Sequence, residues 1–304
     1  MKRIRIVSPS GKPDAALVEA ARMRLIGRGF DVSVGRYACS AYGRFAARKE
    51  ERVEDVLSAF SDPDTDIVLC SRGGYGLQQI IDRLAAGIED ILSVRGSLPV
   101  LVGFSDITCL HSVLSSLSVP SLHGLMAHIG DWDEECESVA RWFDTVGGKM
   151  PDYTVRRNEY SVEGEASGVL VGGNLSVLYG LQATPWSIVS ICDKNQSQGK
   201  QTMLFIEDIC ERHYHIDRMM QNLRLSGVLG KISGLIVGQF TDIEADPLMQ
   251  CTVERTILQA VEGFDIPVLF GFPAGHSDDV NLPFWLGKET TIKVEEKFSY
   301  FAQK

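Results

Sequence analysis

The N-terminal half of the chain alternates two apolar patterns: short continuous runs, and longer stretches spaced at helical intervals. Ile4 to Val7 is the first run. Pro13-Asp14 can then start a helix in which Leu17, Ala21 and Leu25 share a face, before Gly27 and Gly29 end it. Val53, Val56, Leu57 and Phe60 repeat the helical spacing. Asp66 to Ser71 and Leu98 to Phe104 are further short runs, each followed by a stripe: Leu77, Ile80, Ile81 and Leu84 after the first, Ile107, Leu110, Leu114 and Leu117 after the second. Strand and helix in alternation predict an α/β fold with a mostly parallel sheet flanked by helices.

Between about 146 and 166 the periodicity fades into Gly147-Gly148-Lys149, Pro151 and a charged stretch, which reads as an interdomain connection. Residues 1–150 are therefore expected to form an N-terminal α/β domain, and residues 151–304 a C-terminal α/β domain rich in strands. The second half resumes with Gly168 to Asn174, a strand from Thr202 to Ile206 and a helix from about Ile216 to Leu225. Ile232 to Val237, Pro267 to Leu269 and the alternating Thr290 to Val294 are further strands. No internal repeat interrupts this order.

A chain of 304 residues suits two packed domains, and 44% apolar residues with mean hydropathy near zero describe an ordinary globular protein. The net charge of -10 carries no basic tract, which argues against nucleic acid and anionic membrane as partners. The apolar run after Met1-Lys-Arg is too short for a secretory signal, and no stretch approaches the roughly 18 apolar residues of a membrane span. The expected location is the cytoplasm. Seven cysteines, an odd number with no CxxC pair, read as reduced and buried thiols.

The stretch Leu98-Pro-Val-Leu-Val-Gly-Phe-Ser-Asp-Ile-Thr108 carries the sharpest chemical signal. A buried strand runs into Gly103-Phe104-Ser105-Asp106 and a helix opens at once. A serine there stands at the carboxyl end of a strand and at the positive end of a helix, as a nucleophile elbow requires. Ile107 replaces the last glycine of GxSxG, and serine is also a favoured helix N-cap, so both readings stand. Arg72-Gly73-Gly74-Tyr75-Gly76 occupies the equivalent place after the preceding strand. Its backbone could offer oxyanion donors or an anion cradle, or be no more than a tight turn; it matches neither GxGxxG nor GxxxxGK[ST]. Glu207-Asp208 ends an apolar strand, where a carboxylate can orient a histidine or cap the next helix. His276 lies in the loop Phe272-Pro-Ala-Gly-His-Ser-Asp-Asp279. His111 falls in a helical apolar pattern and reads as structural. His123 and His128 flank a Gly-Leu-Met turn that could approach the site. His213 and His215, near Glu207, Cys210 and Glu211, are zinc-type ligands without HExxH or CxxC spacing.

Taken in order, Val-Ser-Pro-Ser-Gly near the start, SRGGYG, GFSDIT, VGGNLSVL at 171–178, LFIEDI at 204–209 and PAGH at 273–276 resemble the LD-carboxypeptidase family of serine peptidases. The resemblance spans nearly the whole chain. It implies Ser105 as nucleophile, His276 as general base and Glu207 as the carboxylate orienting it. It also implies oxyanion donors in the backbone N–H groups of Gly74 and Asp106. The implied substrate is a murein-derived peptide losing its terminal D-alanine. Separately, from their own chemistry, Arg72 is expected to pair with the D-alanine carboxylate and Gly73 and Tyr75 to line the substrate site beside it; no cofactor and no metal are expected. A homodimer is expected from the resemblance. The paired histidines at 213 and 215 depart from the family pattern, as does the loop after His276, Ser277 to Gly287, although its Pro283 and Gly287 look like the family's close. Three rivals remain: an immunity peptidase of the same family cleaving an aminoacyl–nucleotide amide, a zinc carboxypeptidase using His213 and His215, and a ligand-binding module without turnover.

Overall fold

The computed structural model describes residues 1–127, 133, 135–244, 246–277 and 279–304. The N-terminal half runs β1 (Arg3–Val7), α1 (Ala15–Gly27), β2 (Asp31–Val34), α2 (Lys49–Ser61), β3 (Ile67–Cys70), α3 (Ile81–Arg95), β4 (Val100–Gly103), α4 (Thr108–Ser116) and β5 (Ser121–His123), then α5 (Glu137–Val146). Its strands pair in parallel in the order β5-β4-β3-β1-β2. All four residues of β3 are buried because both faces are covered. Val68 and Cys70 pack with the core of α2, α3 and α4, while Ile67 and Leu69 face Val18, Leu25 and Trp142 of α1 and α5.

The second half continues with β6 (Asp152–Arg156), β7 (Gly164–Asn174), α6 (Leu175–Gly180), α7 (Ile188–Ser197), β8 (Thr202–Ile209), α8 (His213–Leu225), β9 (Ile232–Thr241), α9 (Val253–Val261) and β10 (Val268–Phe270). Three late strands close the chain: β11 (Phe284–Leu286), β12 (Glu289–Val294) and β13 (Phe298–Gln303). The second sheet has the order β10-β9-β8-β7-β12-β13-β6. Its first four strands are parallel, and β12, β13 and β6 join antiparallel. Helices α6 to α9 cover one face. Met203, Phe205, Phe272, Phe284 and Phe301 fill the other.

β11 is the exception to this division: it pairs antiparallel with β5 and so completes the first sheet. There Phe284 sits opposite His123, their rings stacked at 4.6 Å, and meets Phe205 of the second sheet edge-on at 4.8 Å. A second tie joins the halves where the Asn174 N–H, at the end of β7, donates to Thr108 Oγ1 at 2.9 Å.

Three sequence expectations change. Part of the stretch 146–166 is not linker but strand β6; as an edge strand it buries only Tyr153, which leaves little alternation to read. The helix expected from Ile216 begins at His213. The cysteines are all free thiols, but only Cys70, Cys109 and Cys192 are buried, whereas Cys39 and Cys210 are exposed. Among the described residues no helix is long and apolar enough to cross a membrane.

Candidate active site

The loops after β1, β3 and β4 emerge at one edge of the first sheet, the carboxyl edge where parallel sheets receive ligands. Ser105 stands there with φ of +65°, a left-handed conformation that L-residues seldom adopt. Strain of this kind costs about 1–3 kcal/mol and collects at functional sites. A single turn, Ser105–Ile107, leads straight into α4. The Asp106 carboxylate turns away and accepts the Leu77 N–H at 3.0 Å, so the serine turn is fastened to the turn after β3. The Arg52 guanidinium, itself buried, donates to the Pro9 and Gly76 carbonyls at 2.6 and 3.1 Å and fastens the same loops from behind.

Gly73 packs against the serine. A Cβ at that position would lie 2.7 Å from Ser105 Cβ, 2.9 Å from its Oγ and 3.2 Å from the Asp106 nitrogen. Only glycine allows so close an approach. The Gly73 carbonyl accepts the Gly11 N–H at 3.1 Å, which holds the turn in place. Among the described residues neither the Gly74 nor the Asp106 N–H meets an acceptor, and Gly74 lines the cleft.

Glu207 and His276 come from the second half. β8 pairs with β9 through a register shift between Ile206 and Asp208, centred on Glu207, and such irregularities re-aim side chains beside active sites. Glu207 is fully buried, and its Oε2 lies 2.7 Å from His276 Nδ1. Burial opposes a charge on His276. The hydrogen bond to Glu207 and the charges of Glu207 and Asp208 outweigh it, raising the imidazole above its ordinary value of 6.5. The neighbouring Asp208 points to the opposite face, where it accepts from Asn174 Nδ2 and the Ser176 N–H at 2.9 Å each. Burial and the Glu207 charge push its carboxyl up to about 7.

Ser105 and His276 open onto one cleft of about 530 Å³, walled also by Arg72, Gly73, Gly74, Phe104, Met126 and Ile209. That volume suits a small-molecule or short-peptide ligand. The Phe104 ring lies 5.0 Å from the imidazole. The serine hydroxyl and His276 make no direct hydrogen bond in this geometry, as is common before substrate enters. Arg72 is exposed at the cleft wall; it donates to the Lys12 carbonyl at 3.1 Å and has no carboxylate partner among the described residues. Tyr75 does not line the cleft. It is half exposed, 6.0 Å from Phe45 and beneath the Arg44 guanidinium.

The other histidines separate. His111 is structural, held by Ser121 Oγ at 2.7 Å and the Gly103 carbonyl at 2.9 Å, and burial lowers it to about 4. His123 does approach the site: its ring lies 5.5 Å from Phe104. His128 lies outside the described residues. His213 bonds Thr256 and His215 bonds Glu211, on diverging partners, and no group of three metal-type ligands occurs among the described residues.

A strained serine, a carboxylate-bound histidine and free backbone amides around one cleft are the parts that serine acyl transfer needs. The family model for the LD-carboxypeptidase N-terminal domain matches residues 4–124, and that for the LD-carboxypeptidase C-terminal domain matches residues 167–292. Over 299 residues the chain is 30% identical to the probable murein peptide carboxypeptidase of Bacillus subtilis (strain 168), covering 96% of this chain and 89% of that protein. It is 27% identical to the murein tetrapeptide carboxypeptidase of Pseudomonas aeruginosa, covering 90% and 88%. The crystal structure of muramoyltetrapeptide carboxypeptidase from Oxalobacter formigenes superposes with a TM-score of 0.84 at 25% identity, over 100% of this chain and 99% of that one. The microcin C7 self-immunity protein MccF superposes at 0.83 with 18% identity, over 100% and 96%, a likeness of fold alone. The chain belongs to the LD-carboxypeptidase family.

Proposed function

We propose that this protein is a serine LD-carboxypeptidase that releases the terminal D-alanine from murein tetrapeptides in cell-wall recycling. The observation that carries the reading is the Glu207–His276 pair opening onto the same cleft as the strained Ser105. Ser105 Oγ attacks the carbonyl that links the L-configured centre of the diamino acid to D-alanine. Its proton passes to His276 Nε2, since Nδ1 is engaged by Glu207, and Glu207 stabilises the imidazolium that forms. The N–H groups of Gly74 and Asp106 hold the oxyanion; losing one such donor costs about 10²–10³ in rate elsewhere. His276 then returns the proton to the departing amine, the C–N bond breaks, and water releases the acyl group from Ser105.

Arg72, with no carboxylate partner of its own, grips the terminal carboxylate across the Gly73 turn. Tyr75, half exposed beside this turn with its ring tilted against Phe45, meets the substrate beyond the cleft wall. The same reading places the nucleophile in a unit of residues 1–150, and the glutamate and histidine in a unit of residues 151–304. It sets the enzyme in the cytoplasm as a homodimer.

The test is release of free D-alanine from a murein tetrapeptide by wild type and Ser105→Ala, each with and without a chelator. Chelator-insensitive release by wild type alone is the expected result. Release that survives Ser105→Ala sinks the assignment of the nucleophile. If wild type releases nothing, the result favours another amide substrate or a binding role without turnover, and an aminoacyl–nucleotide is the next to try.

A further inference from the structure

The histidine loop between β10 and β11 is held at both sides of His276 by carboxamides. On one side, Asn281 Oδ1 accepts the Gly275 N–H at 3.2 Å. On the other, Gln239 Oε1 accepts the Ser277 N–H at 3.1 Å, while the Gln239 N–H donates to the Ala274 carbonyl at 3.0 Å. Gly275 has φ of +140°, a conformation closed to other residues at little cost, and a Cβ there would press on Gln239 Cβ at 3.1 Å. The loop is thus confined on each side of the imidazole.

Asn281 is the less ordinary of the two. It is 1% exposed, and its own N–H donates at 2.8 Å to Ser138 Oγ, a fully buried hydroxyl in the first turn of α5. The loop is therefore strung between β9 of the second sheet and a helix of the first half. Beyond Asn281 lies His123, fully buried, with neither ring nitrogen at hydrogen-bond geometry. Burial, then the charges of His111 and His276, keeps it neutral, with Asn281 as its polar neighbour.

We propose that Asn281, anchored by Ser138 and opposed by Gln239, is a positioning residue that holds His276 against Glu207. The inference rests on the reading of His276 as general base. It acts through the backbone of Gly275, and Asn281 touches no substrate.

Asn281→Leu, Asn281→Asp and Ser138→Ala are compared with wild type in two ways. One readout is kcat and KM for D-alanine release. The other is the titration midpoint of His276 by NMR of histidine-labelled protein, which needs no substrate. The expected result for Asn281→Leu is a kcat loss of roughly 10–100-fold with KM nearly unchanged, because misplacing a base by an ångström costs about that much. Its His276 midpoint falls, since the raising contact with Glu207 loosens. Asn281→Asp keeps the oxygen that receives Gly275, so it recovers most of kcat and raises the midpoint. Ser138→Ala shows a smaller shift in the same direction as Leu, and serves if the Leu variant does not fold. A wild-type midpoint in Asn281→Leu and Ser138→Ala overturns the inference, as does equal impairment of the Leu and Asp variants. Absence of D-alanine release by wild type counts against the murein reading only, because the NMR arm still decides the role of Asn281.

Discussion

Ser105 holds its left-handed backbone because the surface opposite it has no side chain. The Gly73 position therefore constrains reactivity more than stability. Gly73→Ala would set a methyl 2.9 Å from the serine Oγ, and the serine or the turn must give way. The expected outcome is a fall in kcat/KM of about 10²-fold or more, with most of the melting temperature retained; near-normal kinetics would show that the turn relaxes freely. At this scale the sequence was informative where chemistry and turn residues coincide. Ser105, Gly73 and His276 were legible from GFSDIT, SRGGYG and PAGH. Asn281 and Ser138 were not, because a buried amide and hydroxyl that serve a loop leave no local signature; only the fold brings residues 138 and 281 together.

The end of β8 places two adjacent carboxylates on opposite faces of one strand, and both bear on pH. If His276 is the general base proposed above it must be neutral to act, so its raised pKa puts the acid limb of kcat/KM above the ordinary 6.5, with activity lost as pH falls through it. Stability runs the other way. The favourable contribution of charged His276 is complete below its unfolded value and disappears as pH rises through its higher folded value; Asp208, pushed up to about 7, follows the same sign. Just above pH ~6.5 the melting temperature should therefore fall while activity rises, a pair of curves that thermal melts and initial rates can check together. A limb at or below 6.5 would mean that Glu207 does not stabilise the imidazolium. The parallel elements were readable as buried runs, because both of their faces are covered. The edge strands were harder: β6 buries one residue in five, and β11 is a three-residue strand whose central residue, Trp285, pairs with Leu122, 163 positions earlier.

For the whole molecule, the two halves were legible as successive patterns, but their interlocking was not. Phe284 is the joint: it stacks on His123 of the first sheet and meets Phe205 and Phe301 of the second, with Phe272 of the loop after β10. Phe284→Ala should cost about 3–5 kcal/mol by removing a buried aromatic, and should reduce kcat as well, because β11 follows directly on the histidine loop. Chemical denaturation and turnover measured on one preparation test this; a large stability loss with full specific activity in the folded fraction would separate the joint from the site.

The place of β11 also bears on how the protein is made. A ribosome delivers the serine early and the histidine late, and the strand that seals the first sheet comes later still. Until residues 284–286 emerge, β5 presents an unpaired edge, and the cleft around Ser105 is not yet sealed on the His276 side. On the proposed reading of Ser105 and His276, the nascent chain is thus both inert toward amides and open to wrong pairing for much of its synthesis. One late docking event ends both conditions together.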